Sequence, residues 1–317
     1  MGHATFTRRR RCLAGAAALA VVVALVVALS AGGQARILPA QRIPSPVVHL
    51  PGGPAHIVVI VMENEEYGDV IGSSSTPYLN RLAAHSALAT QMYAITHPSL
   101  PNYLALTGGS TFGIDSDCTG CAVHATSLVS QLRRAGVSWR AYMEDLPHPC
   151  FQGGGAGEYA KKHDPFMYYT SISSKASLCD HVVALSRLSA DERAGTLPRF
   201  IWITPNLCHD MHDCDTSTGD RFLAGLVPGL LSHLGRRGLL FVTWDEGSSD
   251  DGCCGLARGG HIATIVAGPG AKPGARLRTP VDHYSVLQTI DDLLGLPRLR
   301  GAGCPCTPSL APLLATP

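Results

Sequence analysis

The chain has few charges and no dominant sign. Charged residues make up 15% of its 317 positions, and 25 Lys and Arg against 24 Asp and Glu leave a formal net charge of +1. A basic footprint is missing, so no nucleic-acid partner is expected. No G-x-G-x-x-G and no P-loop sequence occurs, which speaks against the two common nucleotide cradles. No internal repeat is visible, which argues against a solenoid or propeller. No C-x-[PA]-x-R stretch surrounds a cysteine, which speaks against a formylglycine sulfatase. A second long apolar run is absent, so one membrane span is the most that can be expected.

What is present begins at the N-terminus. Arg8 to Arg11 precede an apolar run from Leu13 to Leu29, and Ala28 and Ser30 form an A-x-S arrangement. That is the order of a signal peptide over residues 1–31, or of a short uncleaved anchor. Residues 32–54 are rich in Pro, Gly and Ala and read as a linker. The remainder is then expected outside the cytoplasm, secreted or tethered by the N-terminal segment. Cysteine usage agrees. Cys12 falls in the leader, and ten cysteines remain, an even number suited to as many as five disulfides. Cys118-x-x-Cys121 could instead be a redox or zinc pair, though no second CxxC completes a zinc set. The spacing of Cys208 and Cys214 suggests that they bond to each other.

Apolar residues make up 45% of the chain, enough for a sizeable core. Ile57 to Met62 is a continuous β-branched run and predicts a strand buried on both faces. Further strands are expected at 87–93, 137–143, 199–204, 239–244 and 262–267. Helices are expected from Ser75-Thr76-Pro77 onward and at 101–107, 126–134, 220–234 and 284–294. Residues 144–197 read as irregular loops with a small inserted unit. A Pro/Cys-rich tail follows at 301–317. Strands alternating with helices predict a doubly wound, mostly parallel α/β sheet in one domain over residues 55–300.

In such a sheet ligands sit beyond the carboxyl ends of the strands. Three expected strands end in polar groups: Glu63 and Asn64, Asn206, and Asp245 and Glu246. Carboxylates converging at close range repel one another and call for a cation. All-oxygen ligation suits one hard divalent ion, Mg, Mn or Ca. Each acidic residue could also merely cap a strand or helix. Thr96-His97-Pro98-Ser99-Leu100-Pro101-Asn102 puts Ser99 at a helix start. There it is either an N-cap or, beside a cation, an activated nucleophile. His97 and Asn102 could add donors to a phosphoryl oxygen.

Cys208-His209-Asp210-Met211-His212-Asp213-Cys214 is the densest polar cluster. It reads as a catalytic loop, as a zinc-ligating loop, or as a solvated, disulfide-closed turn. In the first reading His212 protonates the leaving alkoxide and Asp213 orients its ring. His261 and His283 could be structural or functional, and Lys162 and His163 could meet a substrate phosphate or be solvated.

Five blocks arrive in one order: 56–64, Thr96-His-Pro-Ser-Leu-Pro-Asn-Tyr103, Asp210-Met-His-Asp213, Thr243-Trp-Asp-Glu246 and Asp282-His-Tyr284. In this the chain resembles the phosphoesterase family that joins bacterial phospholipases C and secreted acid phosphatases, above all its secreted actinobacterial acid phosphatase/phosphatidylinositol-3-phosphatase branch. The resemblance implies an alkaline-phosphatase-like core, a metal-bound Ser or Thr nucleophile and a covalent phospho-enzyme. Carried over by position, Glu63, Asn64, Ser99, Asp245 and Glu246 would hold the cation and Ser99 would attack. Asn102 would touch the phosphoryl group and His212 would act as general acid. Asp-Glu stands where some acid phosphatases of the family have two Asp. The short chain favours a phosphomonoesterase, with a phosphoinositide lipid among its candidate substrates. A phospholipase C-type phosphodiesterase and a disulfide-rich binding module are the rival readings.

Overall fold

A computed structural model describes Gly53 and residues 55–316. The expected leader and nearly all of the linker lie outside the described residues. Among the described residues no helix is long and apolar enough to cross a membrane.

Six β-branched and apolar residues in succession cannot present a polar face, so the strand they form must be covered on both sides. Strand β1 (Ile57–Met62) is such a segment, and every one of its residues is buried. The other strands are β2 (Ala87–Tyr93), β3 (Trp139–Met143), a small hairpin of β4 (Gly155–Ala156) and β5 (Tyr159–Ala160), β6 (Val182–Ala184), β7 (Phe200–Thr204), β8 (Leu239–Trp244), β9 (His261–Ala267), β10 (Arg276–Leu277) and β11 (Val281–Asp282). The main sheet runs β10-β2-β9-β8-β1-β7-β3-β6, with β11 also beside β2. All its pairings are parallel except those of β9 with β2 and β8. This is the expected doubly wound, mostly parallel α/β sheet.

The helices are α1 (Tyr67–Val70), α2 (Pro77–His85), α3 (Ser99–Gly108), α4 (Leu128–Arg134), α5 (Thr170–Ser173), α6 (Ala176–Cys179), α7 (Leu188–Ala194), α8 (Thr216–His233) and α9 (His283–Leu294). Helix α3 packs on α9 and α4, and α2 packs on α8. Two helices start earlier than their apolar stripes suggest. Helix α3 begins at Ser99, because Pro101 falls in the first turn, where its missing N–H is not needed. Helix α8 begins at Thr216 rather than 220, about one turn ahead of the expected start. Strand β6 and α7 give order to part of 144–197, so that stretch is more than loops.

Ten cysteines form five disulfides: 118–121, 150–179, 208–214, 253–254 and 304–306. Cys118 and Cys121 are therefore bonded to each other rather than held as zinc thiolates, and Cys208–Cys214 closes the expected short ring. The tail packs back onto the domain. Leu310 and Leu313 are buried, and Ala271 pairs with Leu314.

Candidate active site

Register decides which side chains meet at the sheet edge. Ile57 to Met62 of β1 pair in step with Leu239 to Trp244 of β8, Met62 lying beside Trp244. The next residues, Glu63 and Asp245, are thus delivered side by side, and both are fully buried. Glu246 follows, its amide donating to Asp245 Oδ1 at 2.6 Å. The Asn64 amide donates to the same oxygen at 3.2 Å. Asn64 has φ 53, in the left-handed region that Asn tolerates better than most residues.

Helix α3 brings Ser99 to this group. Its hydroxyl donates to Glu63 Oε2 at 3.1 Å and Glu246 Oε1 at 3.2 Å. Pro98, not Ser99, holds the N-cap position. The neighbouring Leu100 amide donates to Asp117 Oδ1 at 3.0 Å, so that part of the helix start is already partnered. His97 packs against Glu246 through Nδ1 and contacts the Ser249 carbonyl through Nε2 at 3.0 Å.

Burial pushes the Asp245 carboxyl well up, and the charges of Glu63 and Glu246 push it further. Burial also raises Glu246, only partly offset by its bond to His97. Glu63 is likewise opposed by burial but ends below its ordinary value, because the charge and hydrogen bond of His163 and the Tyr103 hydroxyl stabilise its anion. Asn64 Oδ1 and Asp245 Oδ2 are buried with no hydrogen-bond partner. Two orphaned oxygens, three crowded carboxylates and a hydroxyl make an oxygen-rich cradle whose unmet need is positive charge. The donor set therefore fits a hard divalent ion.

The opposite flank is cationic. His163 is buried between Glu63 Oε2 at 3.2 Å and Asp210 Oδ2 at 3.3 Å. Burial would lower its pKa, but the two carboxylates raise it to about 9, so it is held as a cation. Asp210, pushed up by burial and by the Glu63 charge, lies at about 6. Lys162 reaches Asp117 at 3.2 Å and His212 Nε2 at 3.1 Å. The other His212 nitrogen meets Asp213 Oδ1 at 2.6 Å. Glu63, His163 and His212 also lie close enough to share an ion, a mixed nitrogen and oxygen set of the kind zinc accepts. The Lys162 ammonium against His212 opposes a second cation there.

Several expected site residues stand elsewhere. Asn102 uses its whole amide inside its own loop: Oδ1 accepts from Ile95 and Thr96, and Nδ2 donates to the Thr96 and Pro98 carbonyls. It shapes the turn before Ser99 and has no donor left for a phosphoryl group. His283 is fully buried, its Nε2 at 3.0 Å from the Trp244 carbonyl, and its burial lowers its pKa to about 4. It braces the end of β8 rather than opening to substrate. Asn206 bonds Asp145, and His209 turns to Glu144 and stacks on Phe222, so the His209/His212 pair does not share an ion. His261 lies between Tyr67 and Tyr93. Sequence reading missed Tyr103, Asp117 and Asp210 as partners. Tyr103 and Asp210 lie inside two of the five blocks; Asp117 lies in none.

The sheet that carries this carboxylate-rich edge and buried serine has a fold found in a solved member of the alkaline phosphatase superfamily. The fold is similar to that of a Vibrio parahaemolyticus protein of that superfamily, with TM-score 0.57 and 13% identity over 80% of this chain and 71% of the other. It is also similar to murine ectonucleotide pyrophosphatase/phosphodiesterase 5, with TM-score 0.54 and 12% identity over 82% of this chain and 100% of the other. Residues 72–297 match the model of the phosphoesterase family, and the chain belongs to that family. It is 35% identical to the phosphatidylinositol-3-phosphatase of Mycobacterium tuberculosis, over 77% of this chain and 78% of the relative. It is 29% identical to an acid phosphatase of Aspergillus fumigatus, over 77% of this chain but 55% of the relative, so it spans little more than half that protein's length. The chain is a hydrolase of phosphate esters.

Proposed function

We propose that the chain is an exported, metal-dependent phosphomonoesterase working through a phosphoserine at Ser99. The observation that carries this reading is the Ser99 hydroxyl, held at 3.1 and 3.2 Å from two carboxylate oxygens in a buried, oxygen-lined edge. A divalent ion held by Glu63, Asn64, Ser99, Asp245 and Glu246 would lower the hydroxyl's pKa and offset phosphoryl charge. Ser99 Oγ then forms a bond to phosphorus as the ester P–O bond breaks, and its proton passes to a carboxylate it already touches. Lys162 faces the phosphoryl oxygens from the other flank, while His163, expected to meet the phosphate as well, turns both nitrogens to Glu63 and Asp210 and supports that flank from behind. His212, oriented by Asp213, gives its proton to the departing alkoxide. Lys162 now donates to the His212 nitrogen that must carry that proton, so it turns toward the phosphoryl oxygens as substrate binds. Water then attacks the phosphoserine and gives a proton to His212 as the bond from phosphorus to Ser99 Oγ breaks; Ser99 Oγ takes back the proton held by the carboxylate, and inorganic phosphate leaves. His97, bonded to Glu246 and Ser249, fixes the metal edge.

A phosphoinositide headgroup is the proposed substrate, supported by the mycobacterial relative's name. Acid quenching during turnover of a labelled monoester should trap label on Ser99, and Ser99→Ala should lower phosphate release by at least about 1000-fold with its melting point little changed. Near-wild-type release by that variant would overturn the nucleophile, and a diester cleaved faster than its monoester would overturn the substrate class.

A further inference from the structure

Glu66 belongs to none of the constellations above, yet it receives more backbone hydrogen bonds than any other carboxylate near the site. It stands just before α1, three residues after Glu63. Its Oε1 accepts from the Ser248 amide at 3.0 Å and the Ser249 amide at 2.9 Å, and its Oε2 accepts from the His261 amide at 3.2 Å. Those donors lie at both ends of the loop that leaves β8 and returns as β9. The loop closes behind Glu66, the Gly247 amide donating to the Gly259 carbonyl at 2.7 Å.

The packing around this carboxylate leaves no slack. A Cβ on Gly247 would strike Glu66 Oε1, and one on Gly260 would come within 2.7 Å of the same oxygen. Gly260 also has φ +96, a backbone conformation open to glycine and strained for other residues. Two glycines facing one carboxylate oxygen allow the loop backbone to approach Glu66 directly.

The clamped segment carries site chemistry at each end. Glu246, which accepts from Ser99, immediately precedes Gly247. The Ser249 carbonyl is the partner of His97 Nε2, and His97 Nδ1 is bonded to Glu246. Fixing the Ser248 and Ser249 amides therefore fixes Glu246 from two directions, through the chain and through His97. We propose that Glu66 is a positioning residue that sets Glu246 and His97 without touching substrate or cation. The proposal rests on the reading of Glu246 as a cation ligand.

The test compares wild type, Glu66→Ala, Glu66→Gln and Glu66→Asp, each full chain with disulfides intact. Calorimetric titration of metal-stripped protein with Mn²⁺ gives affinity, and phosphate release gives kcat and KM. Glu66→Ala should weaken Mn²⁺ binding and lower kcat by roughly 10–100-fold, the usual cost of losing an outer partner, with KM within about twofold. Glu66→Gln should recover most of the loss, because its carbonyl oxygen can still serve Ser248 and Ser249. Glu66→Asp should not, because it keeps the charge and loses the reach. If Glu66→Ala fails to fold, the Gln and Asp pair decides by that same order. A folded Glu66→Ala with wild-type affinity and kcat overturns the clamp, as does full rescue by Asp with none by Gln. Absence of Mn²⁺ binding in wild type would sink the metal reading instead, and the clamp would then stand or fall on kcat.

Discussion

The two flanks of Ser99 are built in different ways. Glu63, Asn64, Asp245 and Glu246 each follow a six-residue strand whose residues are all buried, and β1 and β8 are paired in register along their whole length. Their positions are consequences of the sheet. Lys162 and His163 instead sit in a single 3-10 turn, and His212 sits in a loop closed by Cys208–Cys214. These depend on side-chain contacts: Asp210 Oδ1 accepts from the His212 amide at 2.8 Å while its other oxygen faces His163, and Asp117 joins Lys162 to the Leu100 amide. The flank expected to hold a cation is rigid by architecture. The flank expected to move protons is held by replaceable polar contacts.

Breaking the strand-built flank should have the larger effect. Asp245→Asn removes a charged ligand, so turnover should fall by more than the roughly 10–100-fold typical of outer-shell losses, and Mn²⁺ affinity should fall with it. The same change relieves repulsion among three buried carboxylates. The metal-stripped variant should therefore melt above metal-stripped wild type, a reversal that scanning calorimetry would show. A stripped variant that melts lower would mean the carboxylates are not in conflict.

The loop-built flank should show selectivity rather than collapse. His212→Ala should slow an alkyl phosphate by about 100-fold, because its leaving alkoxide needs a proton. An activated aryl phosphate should lose only a few-fold. Equal losses would remove His212 from the general-acid role.

The smallest effect concerns stability, away from both flanks. Asp291 in α9 is buried, with Oδ1 unpartnered, and burial first and the Asp292 charge second raise its pKa to about 8. In the unfolded chain it should titrate near about 3.9. Between those values the native state holds more protons, so this group's contribution is complete below about pH 4 and is lost as pH rises through about 8. Asp291→Asn should flatten the decline in urea midpoint between pH 5 and pH 8 while leaving kcat alone. An unchanged slope would show that Asp291 does not cause the decline.

What could be read from the sequence follows the same division. β1 and β8 are legible to the residue because each is a short, unbroken run of apolar and β-branched residues that stops at an acidic residue, and the proposed oxygen ligands stand where those runs stop. Ser99 is legible through the Pro-flanked turn. Strand β6, three residues inside a polar stretch, is not legible, because it is a strand only by pairing with β3. Glu66 and Asp117 carry no local signal at all. The partners of Glu66 lie 182 or more positions away, and those of Asp117 (Leu100 and Lys162) stand in other elements, so only the folded chain displays them. Asn102 and His283 stood in the right blocks, and what sequence could not tell was that the Asn102 amide is spent inside its own loop and that His283 is fully buried.

Asn64 has a consequence for the charge balance of the edge. Its left-handed backbone would accept Asn or Asp, so conformation does not choose between amide and carboxylate. Electrostatics does. With a neutral amide at this position, three carboxylates around the proposed divalent ion would leave an excess of one negative charge; an aspartate would make it two. An arriving phosphate ester is itself an anion, and the inorganic phosphate that departs is another. A fourth carboxylate would tighten the grip on the proposed ion while repelling the substrate that such an ion would attract.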